Sequence, residues 1–234
     1  VLSGGVYMID TAINYRYMRS EMAIGKAIQV LVHKYKINRD ELVIASKVGF
    51  VPEDAINGKR GHFFVQELVE SQKIDINDVI YDELKRPVHC IHPEYIKKQL
   101  DYSLKNLNLE TLDILYLHNV FESQVALPKE QLYERLSKAF EVLEESIQKG
   151  LIKNYGLASW NSFRIDSNNA QHSSLQKIVD IANKVGGKNN GFKFIQAPIN
   201  LTNPEIFIEK FQELILSEKA ESNNSMNFFQ GKEL

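Results

Sequence analysis

Three β-leaning runs in this chain each end in an ionisable side chain, and that recurrence constrains the fold more than any other feature. Val6-Tyr7-Met8-Ile9 runs into Asp10, Leu42 to Ala45 into Ser46-Lys47, and Leu112 to Leu117 into His118. Tyr15 follows Asp10 across a short polar turn. A buried strand that stops at a reactive group delivers it to a rim, and the loop beyond places a second one. Three such strands predict one site at one end of a parallel sheet.

The segments between them read as helices. Ala23, Ala27 and Leu31, with Ile24 and Ile28, form a broad apolar stripe behind Ser20, a plausible N-cap. His92-Pro93-Glu94 starts a second helix, with proline in its first turn and Ile96, Leu100, Leu104 and Leu107 on one face. Glu130 to Gln148 carries Leu132, Leu136, Ala139, Leu143 and Ile147 at helical spacing, with Gly150 as a terminator. Ile152 to Ser159 and Phe192 to Ala197 read as strands. Leu175, Ile178, Val179, Ala182 and Val185 give the helix between them, and Phe207, Phe211, Leu214 and Ile215 the last one. The strand–helix alternation implies an α/β fold with a parallel sheet and helices outside. About five strands are recognisable, so a closed (β/α)8 TIM barrel would need three more.

Residues 50–92 break this rhythm with Pro52, Gly58, Gly61 and Pro87 around a short helix, Phe63 to Glu70. Such a segment is too long for an ordinary strand–helix connection. Leaving directly from the Lys47 strand, it is expected to sit over the rim as a lid or pocket wall. Residues 217–234 are polar and weakly periodic, which reads as a disordered tail on a single domain spanning 1–234.

The 234 residues carry a net charge of −2, which does not suggest a nucleic-acid partner or an acidic membrane surface. No apolar run approaches the roughly 18 residues a membrane span requires. Cys90 is the only cysteine, so no disulfide forms within the chain, in keeping with a reducing, cytoplasmic setting. Oligomeric state is unreadable.

Asp10, Tyr15, Lys47 and His118 together suit a reaction in which a carbonyl oxygen gains or loses a proton. A phenol in water holds its proton up to pH ~10, and a neighbouring ammonium eases its release. Lys47 supplies such an ammonium, Asp10 can hold it charged, and His118 can hydrogen-bond a substrate oxygen. Taken singly, each has a plainer role: a turn former, a surface phenol, a solvated amine, a structural imidazole.

The chain resembles the aldo-keto reductase family. The resemblance rests on Asp10-Thr11-Ala12-Ile13-Asn14-Tyr15, Arg19-Ser20-Glu21 with Gly25-Lys26-Ala27, and Ser46-Lys47-Val48-Gly49. It continues through Ser103-Leu104-Lys105-Asn106-Leu107, Asp113 to Asn119, Tyr155-Gly156-Leu157-Ala158-Ser159-Trp160 and Ile195-Gln196. The ordered set spans residues 6–216. The segment 50–92 resembles one subgroup, in which a long excursion precedes a His-Cys-x-x-Pro-like stretch. The resemblance implies a TIM barrel, NADPH, a small carbonyl or sugar-like substrate, and Asp10, Tyr15, Lys47 and His118 as a catalytic tetrad. It also implies that Ser159 and Gln196 hold the nicotinamide carboxamide. Trp160 stands where the family usually has asparagine, with Asn161 next, and is carried over as a third cofactor contact. Nothing after Leu216 resembles the family's grip on the adenosine half, and little before Val6 resembles its first strand. A longer native protein is therefore expected, for which intact mass is the test.

Two other readings compete. One is a non-catalytic relative that senses a cofactor or binds a partner. The other is a metal-dependent barrel isomerase or hydrolase using Asp10 and His118, which Lys47 between them opposes. His89-Cys90-Ile91-His92 invites a metal but lacks a third ligand; His92 reads more simply as the residue that starts a helix, and Cys90 as a buried thiol.

Overall fold

The computed structural model describes residues 5–54 and 56–212. The expectations for Val1-Leu2-Ser3, for Leu214 and Ile215, and for the 217–234 tail fall outside that range.

Five strands form one all-parallel sheet among the described residues: β1 (Met8–Asp10), β2 (Val43–Val48), β5 (Leu112–His118), β6 (Ile152–Ala158) and β7 (Phe192–Gln196). They lie side by side in chain order, each joined to the next by a helical crossover. This is the winding of a (β/α)8 barrel, here an arc of five strands. The sheet curls until its two edge strands meet at their tips, where the Gln196 amide donates to Asp10 Oδ2 at 3.2 Å. The crossovers are α1 (Arg19–His33), α3 (Pro93–Leu107), α5 (Lys129–Gln148) and α6 (Leu175–Gly186). A one-turn helix, α4 (Val120–Ser123), follows β5 directly.

Side chains alternate across the strands with period two. The outward set, including Ile44, Val48, Leu115, Leu117 and Leu157, packs against the crossover helices as the main core; Phe192 joins it where the β6–β7 register shifts. The inward set is smaller: Ala45, Ile114, Tyr116 and Ala158, flanked by Met8, Val43 and Phe194. Carried one step further along each strand, the inward set reaches Asp10, Lys47, His118 and Gln196. These are the last inward positions of β1, β2, β5 and β7.

Helix α1 differs from its sequence reading on two points. Ser20 is not its N-cap: the cap position is Met18, in a left-handed conformation at φ 69° with no side-chain cap bond. Ser20 instead faces back into the preceding loop, its hydroxyl 2.9 Å from that of Thr11. The buried face is also rotated. Ala23 and Ala27 are exposed, whereas Glu21, Gly25 and Ile28 are buried. Gly25 decides this, because α1 crosses the end of α3 so closely that a Cβ there would lie 2.5 Å from the Asn106 carbonyl oxygen. Glu21 comes down on the same face and accepts from Ser46 at 2.6 Å and Asn106 at 2.9 Å.

Residues 50–92 hold more regular structure than the sequence suggested. Helix α2 (Gly61–Glu70) matches expectation, but β3 (Val79–Tyr81) and β4 (Pro87–Cys90) form an unanticipated antiparallel hairpin. Phe64, Val65, Leu68, Ile74, Val79 and Cys90 share a second small core with Ile13, Met18 and Tyr95. The segment is thus fastened to the loop that carries Tyr15. Of the final expected helix, the described residues form α7 (Glu205–Ile208), with Phe207 exposed and residues 209–212 irregular. No helix among the described residues is long and apolar enough to cross a membrane.

Asp113, on the outward face of β5, fastens the opposite end of the sheet. It accepts from Arg39 at 2.7 Å, Lys153 at 2.8 Å and the Ile44 N–H at 2.8 Å. Burial pushes its carboxyl up, but these donors outweigh burial and hold it below the usual carboxylate range. A lowered folded-state value stabilises the fold above the unfolded-state value, and that contribution fades as pH falls through the folded value. Asp113→Asn is therefore expected to destabilise by about 1–3 kcal/mol at neutral pH. The deficit should shrink below pH ~4. Urea unfolding at both pH values measures it; an unchanged deficit would mean the charge is immaterial.

Candidate active site

Lys47 is 2% exposed, and a buried ammonium survives only when paired. It donates to Asp10 Oδ2 at 2.7 Å and to the Thr11 carbonyl at 3.0 Å. Its third side meets the ring of Tyr15, whose centroid lies 4.9 Å from Nζ. Tyr15 is itself 38% exposed, open to a ligand at the mouth. The turn that presents it is built from three consecutive left-handed residues, Arg16, Tyr17 and Met18, at φ 50°, 59° and 69°. None is glycine, so each costs about 1–2 kcal/mol relative to ordinary backbone. The Thr11–Ser20 hydroxyl contact spans the ends of this turn.

His118 completes the group, its ring 5.9 Å from that of Tyr15 in an edge-on contact. Phe50 meets the same imidazole edge-on at 4.9 Å. Burial first, then the Lys47 charge and His89, push His118 down to about 3, so its ring is neutral at working pH. Nδ1 is buried and without a partner among the described residues. A neutral imidazole held this way can donate one N–H to an oxygen at the mouth. Because the shift is downward, protonation sets in only as pH falls towards that value. NMR titration of the His118 ring is expected to show no transition between pH 5 and 8, and a midpoint near the ordinary histidine value would contradict this environment.

The four groups read from the sequence as a tetrad thus lie together, and Gln196 joins them through Asp10. Ser159 and Trp160 do not. Ser159 is one residue past the inward Ala158, and its N–H donates to the Gln196 carbonyl at 2.9 Å, but its side chain is engaged elsewhere. Its hydroxyl donates to Glu122 Oε1 at 2.5 Å, accepts from the Ser162 N–H at 2.8 Å and lies 2.6 Å from Ser162 Oγ. The Trp160 side chain is 54% exposed on the surface, while its carbonyl accepts from Arg164 Nε at 2.7 Å. Glu122 organises this turn, accepting also from the Asn161 N–H at 2.8 Å. As one acid among 30, Glu122 carries no distinguishing signal in the sequence.

The His89–His92 stretch is engaged elsewhere. His89 Nε2 lies 2.8 Å from the His118 carbonyl oxygen and its Nδ1 lies 3.1 Å from Gln124. Burial pushes the Cys90 thiol up to about 12. His92 caps α3, accepting from the Glu94 N–H at 3.3 Å. Among the described residues no three His, Cys, Asp or Glu side chains gather as a metal would need.

With the site in view, comparison with known proteins adds its lineage. The sequence model described as "Aldo/keto reductase family" matches residues 1–186. Among solved structures, the chain resembles the aldo-keto reductase AKR11C1 from Bacillus halodurans (holo form). That match has 20% identity and a TM-score of 0.50, covering 85% of this chain and 46% of that one. It also resembles the glycerol dehydrogenase AKR11B4 from Gluconobacter oxydans, at 21% identity and a TM-score of 0.52, covering 86% of this chain and 43% of that one. The chain therefore spans less than half the length of either structure.

Proposed function

The chain belongs to the aldo/keto reductase family, and from that premise we propose that it is an NADPH-dependent reductase of a small aldehyde, ketone or sugar-like carbonyl. One observation carries the proposal. The Asp10–Lys47 ion pair at 2.7 Å lies beneath the Tyr15 ring, beside a neutral His118, at successive strand ends.

The mouth suits the nicotinamide end of the cofactor. Gln196 reaches it with its amide nitrogen directed at Asp10, which leaves its amide oxygen to meet a carboxamide N–H. When bound, NADPH supplies the hydride. The chain's own residues manage the proton and the charge. Tyr15 gives its phenolic proton to the carbonyl oxygen as that oxygen gains electrons. The Lys47 ammonium stabilises the negative charge left on the phenolic oxygen, and Asp10 fixes the ammonium in place. His118 orients the substrate oxygen through its N–H. Residues 50–92 bring Phe50 to the rim and form one wall of the substrate pocket. The choice of NADPH over NADH is carried over from the family resemblance and from no residue of this chain.

A second reading is a relative that binds the cofactor without turnover. It is favoured by the hydrogen bonds that occupy Ser159, the residue expected to hold the carboxamide. Titration of protein fluorescence with NADPH, followed by a carbonyl panel monitored by loss of nicotinamide absorbance, separates the two. Turnover supports reduction; binding without turnover, unaffected by Tyr15→Phe, supports the second.

A further inference from the structure

We propose that His89, from the segment between β2 and α3, is a positioning residue that sets the imidazole of His118 by holding its main chain. The inference rests on the reductase reading for its kinetic consequence, but not for its geometry.

His118 is the last residue of β5, and its ring has no hydrogen bond at Nδ1 among the described residues. A side chain without an anchor of its own takes its placement from its backbone and from packing. The packing comes from Phe50 and Tyr15. The peptide that follows His118 is held on both sides: the Asn119 N–H donates to the Ala158 carbonyl at 2.7 Å, and the His118 carbonyl oxygen meets His89 Nε2 at 2.8 Å. The direction of this bond is fixed. The Gln124 amide nitrogen can only donate, so His89 Nδ1 accepts and Nε2 carries the proton. Gln124 is held in turn, its oxygen accepting from Arg135 at 3.2 Å. Arg135 also donates to the Asn77 carbonyl at 2.7 Å, which returns the chain of bonds to the same inserted segment. His89 is fully buried, and burial pushes it down to about 4, so it stays a neutral, single-tautomer donor.

A second feature points the same way. Gly49, two residues after Lys47, lies directly against this contact. A Cβ at position 49 would sit 2.8 Å from His89 Nε2 and 3.4 Å from the His118 carbonyl oxygen. At φ 128° the backbone there also disfavours any side chain. The strand that delivers Lys47 therefore leaves a gap filled by the bond that positions His118. One inserted residue links the two catalytic strands, β2 and β5.

The test compares His89→Phe, which keeps bulk but cannot donate, with His89→Gln, whose amide nitrogen reaches about as far as Nε2. Both are read in the whole protein by kcat, by NADPH affinity and by the ring NMR signals of His118. His89→Phe is expected to lower kcat about 10- to 100-fold, the range for misplacing a reacting group by an ångström or less. NADPH affinity should stay within about threefold, and the His118 ring signals should shift or broaden. His89→Gln should restore most of kcat and the wild-type ring signals. Unchanged kcat and ring signals in His89→Phe would overturn the proposal. So would equal losses in both variants with a lowered melting temperature, which mark a core histidine and nothing more. If the wild type reduces no carbonyl, the ring signals still decide the positioning role, so failure of the reductase reading is told apart.

Discussion

Tyr15→Phe is expected to lower kcat for carbonyl reduction by about 100- to 10,000-fold while leaving NADPH affinity nearly unchanged. The phenolic hydroxyl is the one group at the mouth that is both exposed and able to give a proton. Lys47 is sealed at 2% exposure, and His118 stays neutral until about pH 3. Phenylalanine keeps the ring that covers the Lys47 ammonium at 4.9 Å. The fold should therefore be untouched, with a melting temperature close to that of the parent. The loss corresponds to about 3–5 kcal/mol of transition-state stabilisation. A fall in kcat/KM arising wholly from KM would instead assign Tyr15 to binding.

Lys47→Met is the second large effect, expected to slow turnover by about 100- to 1,000-fold. Methionine fills much the same volume, and Asp10 keeps the Gln196 amide and its own exposure to water, its side chain being 34% accessible. No fully buried charge is stranded, so the stability change should be modest, on the order of 1 kcal/mol, well short of the cost of breaking a sealed pair. Lys47→Arg should not rescue activity. The guanidinium is planar and broader, and the space among Asp10, the Thr11 carbonyl and the Tyr15 face is shaped for a compact ammonium. Circular dichroism and kinetics on the same preparations measure both parts.

The strand endings were legible in the sequence because a buried parallel strand is a run of apolar residues, and the first polar side chain after it marks the rim. Leu112 to His118 and Val43 to Lys47 follow that rule apart from Asp113, at the far end of β5, and Ser46, whose hydroxyl donates to Glu21 on the helix side. At Ser159 the motif does not reveal the partners that the fold supplies to the hydroxyl, Glu122 and Ser162. Helix α1 departs from its sequence pattern: Ala23 and Ala27 occupy core-like positions in the apolar stripe, whereas the close approach of α3 at Gly25 turns the helix the other way. The hairpin at 79–90 leaves no readable pattern, because two strands of three and four residues have too little periodicity to show. The spacing around His89 suggests a metal, but its actual partner, a main-chain carbonyl 29 residues on, leaves no trace in composition or spacing.

The central claim is that Tyr15 and Lys47 act as one unit at the mouth of the sheet. The most direct measurement is kcat/KM for the wild type, Tyr15→Phe, Lys47→Met and the double variant, with NADPH and one reducible carbonyl. Groups that share a single proton transfer are not additive, so the double variant should be no more than about threefold slower than the slower single one. Losses that multiply, or a wild-type rate no higher than the background reaction, would contradict the account.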